Sequence, residues 1–162
     1  MWKLSEDHCK KIATEKSETC LFTLTDYNKN WSRDNLLIQI LKKNYNNLVF
    51  FPQGPDDEKY LQSFEVKPKI IERDFNAFKN FTKKNKFDYI GTRLHAGIYC
   101  LEHFKRSIII GVDNRALEIG KDSNLLVIPR ANIHELENLI KSEIKTRILL
   151  PNESITRWKN QF

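Results

Sequence analysis

A chain of 162 residues, 40% apolar and 30% charged, holds enough material for one domain with a real core and too much apolar content for a disordered segment. No apolar run approaches the ~20 residues that span a bilayer, and the N-terminus, Met1-Trp-Lys-Leu-Ser-Glu-Asp-His, lacks a signal-peptide core, so a cytoplasmic location is expected. The formal charge of +6 admits anionic partners, but the lysines are spread along helix faces (Lys42, Lys43, Lys83, Lys84) rather than gathered in one tract, which reads as solvated surface and not as a nucleic-acid stripe.

Residues 1–19 read as a linker or an N-terminal helical extension. A short, β-prone strand is predicted at 20–25 (Cys-Leu-Phe-Thr-Leu-Thr). A helix follows over 32–45, capped by Ser32, with Leu36, Leu37, Ile40 and Leu41 on one face. The second strand, 48–51, is stopped by Pro52-Gln-Gly-Pro55. A short helix is expected over 56–64, a short strand at 69–72, and a helix over 74–85 with Phe75, Phe78 and Phe81 on one side. Strand 87–90 leads into a helix over 93–105. Strand 107–110, apolar without alternation, is what a strand covered on both faces requires. A last such run spans 125–128, and an amphipathic helix capped by Asn132 is predicted over 132–144. The tail, 151–162, reads as a C-terminal helix carrying Trp158.

Strand and helix alternate throughout, which implies right-handed βαβ units. The predicted fold is α/β: a Rossmann-like three-layer α/β/α domain with a parallel sheet over 20–150. In such sheets ligands bind beyond the carboxyl ends of the strands. Four loops should lie there: 26–32, 52–57, 91–95 and 111–115.

The strongest local signal is Gly91-Thr-Arg-Leu-His-Ala-Gly97. A strand ends in glycine, and Arg93 and His95 fall where a helix begins. Arginine supplies a charged fork and histidine a proton carrier, both beside unpaired helix amides. That combination suits a phosphate or carboxylate. An arginine paired with a carboxylate and a partly packed histidine is the competing reading. In Gly111-Val-Asp-Asn-Arg115, Asp113 can orient a hydroxyl or a neighbouring side chain and Arg115 can add charge; a plain turn serves equally well. Gln53, Asp56 and Asp57 can bind sugar hydroxyls, or the aspartates can cap the next helix. Asp26 and Tyr27 stand in the same position. His8, His103 and His134 have no partner in reach by sequence.

Three cysteines (Cys9, Cys20, Cys100), without a CxxC pair, read as reduced thiols. No His/Cys spacing suits zinc, and no metal is expected. The chain carries neither a G-x-G-x-x-G nor a P-loop, and no Ser/His/Asp or Cys/His nucleophile arrangement is evident.

The Arg93-Leu-His95 segment, with 107–115 (Ser-Ile-Ile-Ile-Gly-Val-Asp-Asn-Arg) and 126–130 (Leu-Val-Ile-Pro-Arg), resembles the polysaccharide pyruvyl transferase family. Thr23-Leu-Thr-Asp-Tyr27, Pro52-Gln-Gly54 and the ending Trp158-Lys-Asn-Gln-Phe162 add to the likeness, which runs from about Leu21 onward. The resemblance implies a GT-B-type architecture of two Rossmann-like domains, of which 162 residues would supply the C-terminal, donor-binding half. It implies transfer of pyruvate from phosphoenolpyruvate, as co-substrate and without further cofactor, to two hydroxyls of a saccharide or lipid-linked glycan acceptor. Ketal formation would release phosphate. Arg93, Leu94 and His95 would contact phosphoenolpyruvate, with Asp113, Arg115, Gln53 and Asp26 near it. His95 would either move a proton or only bind the anion. A missing N-terminal domain or partner chain would complete the enzyme, and homo-oligomerisation stays open. Two alternatives stand beside this one. The first is the donor domain of a GT-B glycosyltransferase or sugar-nucleotide epimerase, which needs a nucleotide site. The second is a non-catalytic fragment or interaction module.

Overall fold

The computed structural model describes residues 1, 3–151 and 160. Six parallel strands form one sheet in the order β3-β2-β1-β4-β5-β6. They are β1 (Thr19–Thr23), β2 (Asn47–Phe50), β3 (Lys69–Ile70), β4 (Asp88–Gly91), β5 (Ser107–Gly111) and β6 (Val127–Pro129). The helices are α1 (Glu6–Lys10), α2 (Trp31–Asn44), α3 (Asp57–Leu61), α4 (Phe75–Lys84), α5 (Leu94–Glu102), α6 (Asn114–Ser123) and α7 (Leu136–Lys141). The result is a Rossmann-like three-layer α/β/α domain. Strand order reverses between β1 and β4, whose register sets Phe22 beside Ile90 and Thr23 beside Gly91.

Period-two alternation sends neighbouring strand residues into opposite layers. Cys20, Phe22, Phe50, Ile90, Ile108, Ile110 and Ile128 pack with Leu37, Ile38 and Leu41 of α2 and with Leu136 and Ile140 of α7. Leu21, Val49, Tyr89 and Ile109 pack with Phe78 of α4 and with Ala96, Cys100 and Leu101 of α5. Leu4, Cys9 and Ile12 join this second layer, so the segment before β1 is packed against the domain. All three cysteines are buried free thiols. No helix among the described residues is long and apolar enough to cross a membrane.

Several element boundaries depart from the sequence expectation for identifiable reasons. Asn30, not Ser32, caps α2: its side chain accepts from the Arg33 amide, which moves the cap back by two residues. The buried face of α2 is Leu37, Ile38, Ile40 and Leu41, and Leu36 is exposed. Of the phenylalanines of α4, Phe78 is buried while Phe75 is exposed, its ring edge-on to Tyr99. The helix expected over 132–144 begins instead as a 3-10 turn at Arg130–Glu135 and is α-helical only over Leu136–Lys141. Asn132 sits inside that turn with non-helical backbone angles and is not a cap. Ile133, Leu136 and Ile140 still reach the core, because their spacing keeps one face. Helix α6 was not expected at all. The C-terminal helix predicted over 151–162, with Trp158, lies outside the described residues apart from its isolated positions 151 and 160.

At the amino ends of the strands lies a buried ion pair. Asp88 and Arg106 are each 1% exposed, with Arg106 Nη2 2.9 Å from Asp88 Oδ2. Tyr45 donates its hydroxyl proton to the same carboxylate oxygen at 2.7 Å, and the Ser17 amide donates from 3.3 Å. The rest of the guanidinium donates to the carbonyls of Ile140 and Ser142 at the end of α7, 2.9 Å each. One arginine thus ties β4 to the last turn of α7, satisfying carbonyls the helix cannot. Removing one member of such a pair leaves a charge stranded in the core. Arg106→Met is expected to cost about 3–5 kcal/mol, read as a lowered urea midpoint at unchanged slope. The double replacement Asp88→Leu, Arg106→Met should be milder than either single change.

Burial raises the Tyr45 and Tyr89 hydroxyl pKa values well above the ordinary 10. Tyr60 moves the same way, through burial and its hydrogen bond to Asp34. A folded-state value above the unfolded one means the stabilisation is complete below about pH 10 and is lost as pH rises beyond it. Alkaline titration followed by tyrosinate absorbance should therefore show these tyrosines ionising together with unfolding. Ionisation of all of them near pH 10 in a still-folded chain would contradict the burial.

Candidate functional site

Parallel strands bring the loops after β1, β2, β4 and β5 to one edge of the sheet, and there they enclose a cleft of about 170 Å³. Its lining includes Tyr27, Gln53, Thr92 through His95, Asp113 and Arg115. The position is the point where strand order reverses, between β1 and β4, the usual ligand crevice of an open α/β sheet.

The floor is set by the turn from β4 into α5. Thr23 Oγ1 and Tyr89 Oη are 2.7 Å apart, Tyr89 donates to the Arg93 carbonyl at 2.7 Å, and the Arg93 amide donates to Thr23 Oγ1 at 3.3 Å. Since the tyrosine proton goes to Arg93, the threonine hydroxyl donates to the tyrosine, and the three residues close a ring of hydrogen bonds. The Thr92 amide adds a bond to the Thr23 carbonyl. Glycine at 91 is required by this packing and not by an unusual backbone angle. A Cβ there would lie 2.2 Å from Thr23 Oγ1 and 2.9 Å from Tyr89 Oη. Gly97 does the same one turn on, where a Cβ would meet Ile109 at 2.6 Å, so α5 lies close over β4 and β5.

Arg93 is the N-cap residue of α5 and makes no side-chain capping bond. The first amides of α5 therefore lack the side-chain acceptor that Ser5, Asn30, Asp74 and Asp113 give to α1, α2, α4 and α6. The amides of Leu94 and His95, which precede the first intrahelical donor Gly97, and the positive end of the helix dipole are left at the cleft.

The Arg93 side chain is engaged, not free. Its Nη2 donates to both carboxylate oxygens of Asp57, at 2.8 and 2.9 Å, and lies 3.6 Å from Asp26. Asp57 is fully buried and also accepts the amides of Gln53 and Gly54, at 2.9 and 2.7 Å. Asp57 thus locks the loop after β2 and fixes the guanidinium, whose charge it balances. Tyr27, half-exposed, places its ring 5.4 Å from the Arg93 guanidinium carbon. Asp56, one of the two aspartates considered as caps, stands at the N-cap of α3 without a side-chain bond.

His95 and Arg115 are exposed and face each other, with Arg115 Nη2 3.5 Å from His95 Nε2. A guanidinium can only donate, so Nε2 is the acceptor where the two side chains are hydrogen-bonded. Arg115 has no carboxylate partner among the described residues. Asp113 is committed to capping α6, accepting the Ala116 amide at 3.1 Å, and the loop it occupies is a helix start instead of a simple turn.

The sequence-predicted residues Arg93, Leu94, His95, Asp113, Arg115 and Gln53 all line the cleft, and Asp26 stands behind it against Arg93. The remaining histidines lie elsewhere: His8 stacks on Phe104, His103 bonds the Tyr99 carbonyl, and His134 is exposed near Glu135. The anchoring role of Asp57 and the Thr23–Tyr89 floor were not foreseen. Thr23 and Tyr89 are hydroxyl-bearing residues inside two apolar strands, and that was the available signal. Among the described residues no group of three His, Cys, Asp or Glu side chains is placed to hold a metal ion.

No protein-family model matches the chain, and neither a curated protein nor a solved structure matches it.

Two substitutions test this architecture. Gly91→Ala forces Thr23 or Tyr89 aside and breaks the ring; a loss of about 3 kcal/mol is expected, seen as a lowered melting temperature. Asp57→Asn keeps the volume and an acceptor for the 53–54 amides but removes the charge that holds Arg93. Its expected cost is about 2 kcal/mol, with amide shifts at Gln53, Gly54 and Arg93 reporting a local loosening.

Proposed function

We propose that the cleft binds phosphoenolpyruvate and that the chain is the donor-binding domain of a pyruvyl transferase acting on hydroxyls of a glycan precursor. The observation that carries this reading is the convergence on one small cleft of the uncapped α5 amides, the unpaired Arg115, His95 and the pre-positioned Arg93. The size supports it too: about 170 Å³ lies below the roughly 300 Å³ at which pockets for drug-sized ligands begin, and suits a three-carbon phosphorylated acid. The family resemblance at Arg93-Leu-His95 points the same way.

Each residue then has a role. Arg115 and the amides of Leu94 and His95 take up the phosphate or carboxylate charge. Arg93, fixed by Asp57, offers a guanidinium that does not have to be ordered when ligand arrives. Gln53 and Asp113 border the ligand, and Asp26 tunes the charge of Arg93. In the transfer, a proton adds to the methylene carbon of the enol, and the C2 centre becomes electrophilic. One sugar hydroxyl attacks it, phosphate leaves with its bridging oxygen, and a second hydroxyl closes the ketal. Of the two hydroxyl protons released, one balances that taken up by carbon and the other leaves on phosphate. His95 is the group that moves protons at the anion, and fixed positive charge stabilises the phosphate as it departs. Acceptor binding falls to a further domain or partner chain, and a cytoplasmic location belongs to the same reading.

Calorimetric titration with phosphoenolpyruvate tests it. Weak binding is expected, lowered about tenfold by Arg115→Ala and by His95→Ala, with the fold intact by circular dichroism. Binding of a nucleotide sugar in place of phosphoenolpyruvate would move the chain to the glycosyltransferases and end this reading.

A further inference from the structure

Beside the cleft lies a second, larger cavity of about 440 Å³, beyond the carboxyl ends of β5 and β6. Val112 and Asp113 form the wall between the two. Its polar lining is Asn30, Arg33, Asn114, Arg130 and Asp113, the last already accepting the Ala116 amide, and Leu117 and Pro129 supply apolar surface.

The two cavities repeat one arrangement. In the first, Arg93 is anchored by the buried Asp57 and Arg115 has no acidic partner among the described residues. In the second, Arg130 is held by the Asn28 carbonyl, to which its Nη2 donates, and lies in ion-pair range of the buried Asp34, with Nη1 3.6 Å from Oδ1 and no hydrogen bond between the two. Tyr60 donates its hydroxyl proton to the other oxygen of Asp34, which holds that carboxylate in place. Arg33, in the first turn of α2, has no ion pair and no side-chain hydrogen bond among the described residues. Asn30 uses its oxygen to cap α2, so its amide N–H groups are left for a ligand. Asn114 is exposed at the start of α6.

One fixed guanidinium, one unpaired guanidinium and two carboxamides match a phosphate ester that also carries hydroxyls. We infer that this cavity is a second anion subsite and that it takes a sugar phosphate, its phosphate against Arg33 and Arg130 and its hydroxyls against the two asparagines. The anion subsite stands on the geometry alone. Its assignment as the phosphorylated end of the acceptor rests on the pyruvyl transfer reading, because only then must a sugar lie within reach of the first cleft.

The test is calorimetry and amide-shift mapping of the whole chain with glucose 1-phosphate, inorganic phosphate, glucose and phosphoenolpyruvate as probes. Glucose 1-phosphate should shift amides around Arg33, Asn114 and Arg130. It should bind more tightly than inorganic phosphate, and glucose should not bind. Arg33→Ala should weaken glucose 1-phosphate about tenfold and leave phosphoenolpyruvate unchanged; Arg33→Lys should recover part of the loss; His95→Ala should do the reverse. Arg33 is partly exposed on a helix surface, so its truncation should not disturb the fold. Unchanged glucose 1-phosphate affinity in Arg33→Ala, equal affinities for glucose 1-phosphate and inorganic phosphate, or no binding at millimolar concentrations would each overturn the inference. If phosphoenolpyruvate fails to bind while glucose 1-phosphate still depends on Arg33, the pyruvyl transfer reading falls and the second subsite stands.

Discussion

The close approach of Gly91 to Thr23 is the constraint on which the rest of the candidate site hangs. With no side chain at 91, the threonine hydroxyl, the Tyr89 hydroxyl and the Arg93 backbone meet between two adjacent strands. That contact fixes where α5 begins, and hence where its unsatisfied amides point. It also sets the root of the Arg93 side chain, which reaches back to Asp57 and so fastens the loop after β2. Three loops, remote in sequence, are held in register by hydrogen bonds that start at one missing methyl group.

The two ends of the sheet treat charge differently. At the amino end, Asp88 and Arg106 are both sealed in the core and bonded to each other, to Tyr45 and Ser17, and to the carbonyls at the end of α7. Such a pair gives at best modest net stability, but it couples β4 to α7 because breaking it is costly. At the carboxyl end only the carboxylates are buried. Asp57 and Asp34 sit inside, and the arginines they hold, Arg93 and Arg130, stay partly accessible. A buried carboxylate behind a mostly buried guanidinium is a way of presenting a rigid donor at a surface without stranding a charge. It also limits the local field, since the anchored arginines are already balanced.

The layer arrangement was legible in the sequence because strand and helix periods alternate cleanly from Cys20 to Ile140. Unbroken runs such as Ile108-Ile-Ile110 fit only strands covered on both faces. The cleft was legible because Gly91 to His95 and Gly111 to Arg115 follow such strands, and a parallel sheet collects their ends. Helix α6 was missed because Asp113-Asn-Arg reads equally as a turn, and Gly120 interrupts the pattern. That glycine is there for contact, since a Cβ would lie 2.9 Å from Val127. Asp57 reads as a binder of sugar hydroxyls or as a helix cap, and Asp34 draws no reading at all. Asp34, however, falls in phase with Leu37, Ile38 and Leu41, and a carboxylate on an apolar helix face has to have a partner. Asp88 between Phe87 and Tyr89 gave the same warning. What the sequence could not supply was which cation answers each acid, because Arg93, Arg106 and Arg130 are brought to them by crossovers and not by local spacing.

The charge balance bears on how strongly a single domain of this kind can hold an anion. In the first cleft the net pull comes from Arg115 and from the α5 amides, since Asp57 and Asp26 offset Arg93 and Asp113 is spent on a cap. Those groups stand at an open sheet edge, where water and salt weaken each interaction several-fold relative to a closed site. A second surface lowered over the cleft would exclude water, and every donor already in place would gain strength without moving. Under the pyruvyl transfer proposal the arrangement would be a pre-organised half-site: geometry fixed by buried carboxylates, affinity to be completed by the second domain that reading calls for.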